Sequence, residues 1–204
     1  AQMVNRTLPD GDEVTQFEAL TAAAFHALAV AGVDVAVVEA GLGGRWDATN
    51  VIPSKVQVLT SVGLDHTRWL GDTVADIAAE KVAVAREQST FVIAPDLAPE
   101  ALPIAREVAA EKHARLVIAA RDLGIPLAAP GGFQRRNFAL AAAAAEAFLE
   151  HPLDSDAVAA AALATTVPGR LEVIGHDPLV VLDGAHNGAG AAALADALPE
   201  VVGD

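Results

Sequence analysis

The sequence predicts an α/β fold with a mostly parallel sheet flanked by helices. Segments of helical period alternate along the chain with short, nearly continuous apolar runs. Such runs suit strands covered on both faces, the condition of parallel strands joined by crossover helices. Hydrophobic residues make up 53% of the 204 residues and aromatics only 4%, so the core is alanine-rich, which favours helices packed closely on a sheet.

The first helix is expected over Glu13–Gly32. Val14, Phe17, Leu20, Ala24, Phe25, Leu28 and Val30 recur there at helical spacing, and Gly32 supplies a stop. Val33–Glu39 and Val56–Val62 read as strands. A helix over Thr73–Arg86 leads to a strand over Phe91–Ala94. A helix over Glu100–His113 leads to a strand over Leu116–Ala119. Gly124, Pro126, Pro130 and the Gly131-Gly132 pair make Arg121–Gly132 a loop. Two alanine-rich helices follow, Phe133–Glu150 and Asp154–Thr165. Val167-Pro168-Gly169 breaks the pattern as a candidate hinge. Beyond it, Leu171–Ile174 and Leu179–Leu182 read as strands and Gly188–Leu198 as a helix.

Charge and composition remove several function classes. A net charge of -14 argues against a nucleic-acid partner, because phosphate coating needs clustered Lys and Arg. The absence of cysteine excludes disulfides, thiolate metal sites and cysteine nucleophiles. No apolar run is long enough to span a bilayer and no signal peptide is visible, so a cytoplasmic protein without a membrane partner is expected. The chain opens at Ala1 and stops at Asp204 just after an expected helix, so both ends are expected to be cut.

Four constellations carry candidate chemistry. The cluster "GLGGRWD" (Gly41 to Asp47) lacks the lysine and hydroxyl of a G-x-x-x-x-G-K-S/T loop and the spacing of G-x-G-x-x-G. It is either a turn with positive φ or a ligand-facing strand end. Glu39 and His66 each close an apolar run; they either share a divalent ion or serve as a capping carboxylate and a loop histidine. Lys81 lies in line with Ile77, Val84 and Ala85, with no acid three or four positions away. It either snorkels to water or is a lysine of lowered pKa, open to modification. In "LVVLDGAHN", Asp183 ends a strand, and after a small turn His186 and Asn187 sit at a helix start. They either cap the helix or meet a ribose hydroxyl and a phosphate.

Read together, "VEAGLGGRWDATN", "TSVGLDHTRWLGDT", "AEKVAVAR", "FQRRNFALA", "PGRLEVI" and "LDGAHN" occur in one order from about Phe17 to Leu198. In that order they closely resemble the folylpolyglutamate synthase/dihydrofolate synthase family, a branch of the Mur ligase superfamily. The resemblance implies a Mur-ligase-type central domain over residues 1–167, and the beginning of a Rossmann-like C-terminal glutamate-ligase domain over 168–204. It implies Mg²⁺ at Glu39 and His66, with Lys81 carbamylated beside them. It assigns Asn137 to adenine, Arg170 to ATP phosphates, and Asp183 and His186 to nucleotide from the second domain. Asp47 and Thr49 border the pterin or folate pocket. Lys81 and His186 are the candidate catalytic residues. The implied reaction joins L-glutamate to dihydropteroate or folate through an ATP-derived acyl phosphate, in a protein that is monomeric at full length.

Three departures accompany the resemblance. None of the three lysines, Lys55, Lys81 and Lys112, follows a glycine, so the family's phosphate loop is absent from these residues. The stretch between Arg121 and Ile125 is shorter than expected, and the C-terminal domain stops after its first helix. Little or no ATP turnover is therefore expected, since that lysine and its hydroxyl hold phosphates and a metal. The alternative is a non-catalytic folate- or metal-binding module on the same scaffold. A Mur-type ligase of cell-wall precursors is disfavoured by "GGRWDATN" and "DGAHN".

Overall fold

A computed structural model describes Val4, Leu8, Pro9 and residues 12–203. The chain divides into two compact units, residues 1–53 and 54–204.

The first unit is built on helix α1 (Gln16–Ala31). It starts three residues later than the periodicity suggests, because Thr15 closes a capping box. Its N–H donates to Glu18 Oε2 at 2.7 Å, and Glu18 N–H donates back to Thr15 Oγ1 at 3.2 Å. Gly32, at φ 63°, ends the helix in the left-handed conformation that glycine adopts without strain. The strand expected over Val33–Glu39 is not formed. The segment is irregular, with a bend at Asp34, and Val35 and Val37 are 51% and 99% exposed. An apolar run signals burial, but a parallel strand also needs a neighbouring ladder and helices on its faces. Among the described residues nothing pairs with it. A 3-10 turn (Ala48–Val51) closes the unit.

The second unit holds a three-stranded parallel sheet in sequence order: β1 (Val56–Leu59), β2 (Thr90–Ile93) and β3 (Arg115–Ile118). Val58 lies beside Val92, and Val92 beside Val117. Helices α2 (Thr67–Leu70), α3 (Val74–Val82) and α4 (Ala101–Glu111) form the crossovers. The long helix α5 (Gly132–Leu149) and α6 (Ser155–Ala164) follow β3. Residues alternate across the sheet as the two-residue period requires. Phe91 and Ile93 join Ile77, Val82, Ala101 and Ala105 on one face. Val92 joins Leu140 and Ala147 of α5 on the other. Ala101, Ala105 and Ala109 recur every fourth residue and are fully or almost fully buried, so α4 approaches the sheet closely. Burying Phe91 completely contributes about 2–3 kcal/mol relative to leaving it exposed.

Gln57, Ser89 and Gln134 are the buried polar side chains among the described residues of this unit. Gln57 on β1 donates to Ser54 O at 2.6 Å and accepts from Ser89 Oγ at 2.6 Å, so its burial is compensated. Past α6, β4 (Glu172–His176) and β5 (Leu179–Leu182) pair as an antiparallel hairpin. Helices α7 (Gly188–Ala197) and α8 (Pro199–Val202) complete the unit. Among the described residues no helix is long and apolar enough to cross a membrane.

Candidate functional site

In the first unit, Glu39 is exposed on the irregular segment after α1. The glycine cluster after it folds around Asp47. Asp47 Oδ2 accepts from the Leu42 N–H at 2.8 Å; Oδ1 accepts from the Thr49 N–H at 2.9 Å and the Thr49 hydroxyl at 2.6 Å. Burial pushes this carboxyl up, but the donors from Thr49, Leu42 and Gly41 outweigh it and hold the pKa below the usual value. Gly43 takes φ 68°, and a Cβ at Gly41 would stand 2.5 Å from the Phe17 ring. The cluster is thus a tight turn, tied by the two residues expected to border the substrate pocket.

In the second unit, His66 caps α2 in a left-handed conformation, φ 52°. Its ring is 55% exposed. Lys81 lies half-buried in the last turn of α3. Asn137 sits on α5 with its amide 3.4 Å from Gln134 Oε1. Among the described residues no three His, Asp or Glu side chains gather as a metal cage.

The β5–α7 turn brings the remaining residues together. Asp183 Oδ2 accepts from the Leu171 N–H at 2.8 Å, and Oδ1 accepts from the Ala185 N–H at 2.7 Å. Asp183 therefore ties the start of β4 to the turn. The Arg170 guanidinium lies over Gly184, where a Cβ would collide with Nη1. His186 Nδ1 lies 2.9 Å from Gly184 O, which assigns a proton to Nδ1. Asn187 caps α7 through Gly190 N–H at 2.8 Å.

Asp65, which the sequence reading did not single out, connects the two groups. Its Oδ2 accepts from Asn187 Nδ2 at 2.9 Å and lies 4.0 Å from His186 Nε2. Its Oδ1 accepts from the His66 N–H at 2.8 Å and lies 3.8 Å from the His66 ring. The Asn187 hydrogen bond holds this carboxyl below its usual pKa, with desolvation opposing and the His66 N–H and both imidazoles adding to it. The structure thus places His66 and His186 around one carboxylate. The only sequence signal was adjacency, Asp65 to His66 and Asn187 to His186. A second missed contact is Glu200 on α8, whose carboxylate meets Gly131 N–H and Arg135 at the start of α5.

No family model matches the chain. It is 38% identical over 229 residues to a dihydrofolate synthase/folylpolyglutamate synthase of Mycobacterium tuberculosis, covering 92% of this chain and 45% of that protein. It is 34% identical over 215 residues to a folylpolyglutamate synthase of Lacticaseibacillus casei, covering 92% and 50%. The chain thus spans about half the length of the curated relatives it matches. Among solved structures, a Mycobacterium tuberculosis folylpolyglutamate synthase complexed with ADP superposes with TM-score 0.89 at 37% identity, covering 97% of this chain and 50% of the other. An FPGS–AMPPCP–folate complex gives 0.89 at 31%, covering 100% and 56%. A bifunctional enzyme of Yersinia pestis complexed with AMPPNP and Mn ion gives 0.80 at 32%, covering 95% and 50%.

Proposed function

Because the chain belongs to the folylpolyglutamate synthase/dihydrofolate synthase family, we propose that it serves ATP-dependent ligation of L-glutamate to dihydropteroate or to glutamated folate. ATP activates the pterin-side carboxylate as an acyl phosphate. The glutamate amine then attacks, releasing phosphate and forming the amide. The observation that carries this reading is the turn before α7, where Arg170, Asp183 and His186 converge beside Asp65 and His66.

Arg170 supplies a fixed cation for the phosphates. The first N–H groups of α7 add positive potential beside it. Asp183, already oriented by two backbone donors, keeps lone pairs for a ribose hydroxyl. As the imidazolium, His186 would donate its Nε2–H to a phosphate oxygen while its Nδ1–H stays on Gly184 O. Asn137 on α5 is assigned to adenine, and Asp47 and Thr49 to the folate side. Residues 1–167 form the central domain on this reading, and 168–204 begin the glutamate-ligase domain.

Magnesium fits this donor set: Mg²⁺ takes one or two protein ligands and fills its shell with water and phosphate oxygen, so it needs no three-residue cage. Within the second unit, the exposed His66 ring and Lys81 as its carbamate would hold it, and it would neutralise phosphate charge.

The test is calorimetric titration with Mg-ADP, together with ADP release in the presence of dihydropteroate or folate, L-glutamate and Mg-ATP. Binding with slow turnover is expected, because these 204 residues hold no glycine-lysine pair for the β- and γ-phosphates. Absence of Mg-ADP binding overturns the ligase reading. Folate or Mg²⁺ binding without nucleotide would instead establish the non-catalytic module.

A further inference from the structure

Helix α7, which follows His186, is held by polar contacts near both of its ends. At its start, Asn187 Nδ2 donates to Asp65 Oδ2 at 2.9 Å. Just past its end, Glu200 takes three donors from α5 and the residue before it. Gly131 N–H and Arg135 Nη1 reach Oε2 at 3.0 Å each, and Arg135 Nη2 reaches Oε1 at 2.7 Å. Asp122 stands 3.5 Å from Arg135 Nε and steadies the guanidinium. Apolar packing contributes little here. The helix carries Gly188, Gly190 and mostly alanine, and only Ala197 is buried. Ala197 rests where a side chain at Gly131 would meet it at 3.0 Å. A helix so poor in apolar contact is positioned by its polar ends.

We propose that Asp65 and Glu200 are positioning residues that pin α7 on the parallel-sheet unit at two points and so fix the Asp183–His186 turn. The consequence for nucleotide rests on the proposed function; the pinning itself does not. Asp65 belongs to the loop after β1 and Glu200 to α8, so the pins lie far apart in sequence and act through different partners. Loss of either leaves the helix anchored at one end. The turn that carries Asp183 and His186 then samples more than one orientation.

The test uses the full 204-residue chain and the variants Asp65→Ala, Asp65→Asn, Glu200→Ala and Glu200→Gln. Hydrogen exchange is followed peptide by peptide, and Mg-ADP affinity by calorimetry. Each alanine variant is expected to raise exchange across residues 185–202 by about threefold or more, with β2 and α4 unchanged. Mg-ADP affinity should weaken by about the same factor. Asn at 65 and Gln at 200 keep one acceptor oxygen of the two and should recover part of both signals. Unchanged exchange over 185–202 in both alanine variants overturns the proposal. Exchange raised equally in β2 and α4 also overturns it, because the residues would then be general stability determinants. Raised local exchange with wild-type Mg-ADP affinity overturns the positioning role. If the wild-type chain does not bind Mg-ADP, the nucleotide reading falls, and the exchange result alone upholds or overturns the pinning.

Discussion

Asn187 Nδ2 donates to Asp65 Oδ2 across 2.9 Å, joining residues 122 positions apart, while Asn187 Oδ1 accepts from the Gly190 N–H at 2.8 Å. One amide caps a helix and bridges to a distant loop. Aspartate can cap a helix but has no donor to give, and a serine hydroxyl, which can accept and donate at once, is shorter than the asparagine amide. Asn187→Ala should lower stability by about 1 kcal/mol in urea unfolding through the lost cap. Asn187→Asp should keep the cap but set two carboxylates against each other, raising exchange in α7. Adding Asp65→Asn to it restores a donor–acceptor pair in reverse. Recovery of α7 protection in that double variant is the expected result.

Glu200 gives the clearest pH dependence. Its two Arg135 hydrogen bonds, then the Gly131 N–H, hold its pKa below the ordinary 4.5, with slight desolvation opposing. A lowered folded pKa means the contribution is present above 4.5 and lost as pH falls through the folded value. Protection of α7 and α8 in wild type should therefore decline below about pH 4.5. Glu200→Gln should flatten that part of the profile. Exchange measured across pH 3–6 at matched intrinsic rates checks it.

Gly184→Ala tests the turn itself. The new methyl would collide with Arg170 Nη1, the far end of a flexible side chain. The guanidinium should swing away at little expense to stability. Losing a charge-assisted phosphate contact should weaken Mg-ADP binding about tenfold or more. A wild-type Kd from calorimetry would show that Arg170 does not meet the phosphates.

Asp47 is the structural centre of the glycine turn, so its removal should act on stability first. Asp47→Ala leaves the Leu42 and Thr49 N–H groups without their acceptor, a loss of about 1–3 kcal/mol in denaturant unfolding of the first unit. Asp47→Asn should fall between, because its carbonyl oxygen can replace only one carboxylate oxygen. Both values, set against folate affinity, separate turn support from substrate contact.

Much of the framework was readable from local pattern. The three parallel strands lie within one to three residues of the expected Val56–Val62, Phe91–Ala94 and Leu116–Ala119. Helices α4, α5 and α6 match within two residues, because caps and alanine periodicity are local signals. Val33–Glu39 failed because periodicity reports apolarity and not the presence of a ladder partner. Asp65–Asn187 and Arg135–Glu200 escaped for a related reason. Polar pairs 122 and 65 residues apart leave no trace in spacing. The glycine cluster was left open between turn and ligand loop. The donors around Asp47 resolve it as a turn, a role set by backbone geometry that residue identities alone do not give.

The bare apolar run after α1 governs how the isolated chain behaves as a colloid. Val33, Val35 and Val37 stand in water in a run that joins no ladder among the described residues, and Asp34 alone breaks the apolarity before Glu39. Such an edge is a template for strand-to-strand association between molecules. The net charge of -14 keeps molecules apart over a range set by the Debye length, about 10 Å at 0.1 M salt. Solubility is then a contest between a short-range adhesive segment and a screened repulsion, so rising salt shifts this chain from dispersed to self-associated.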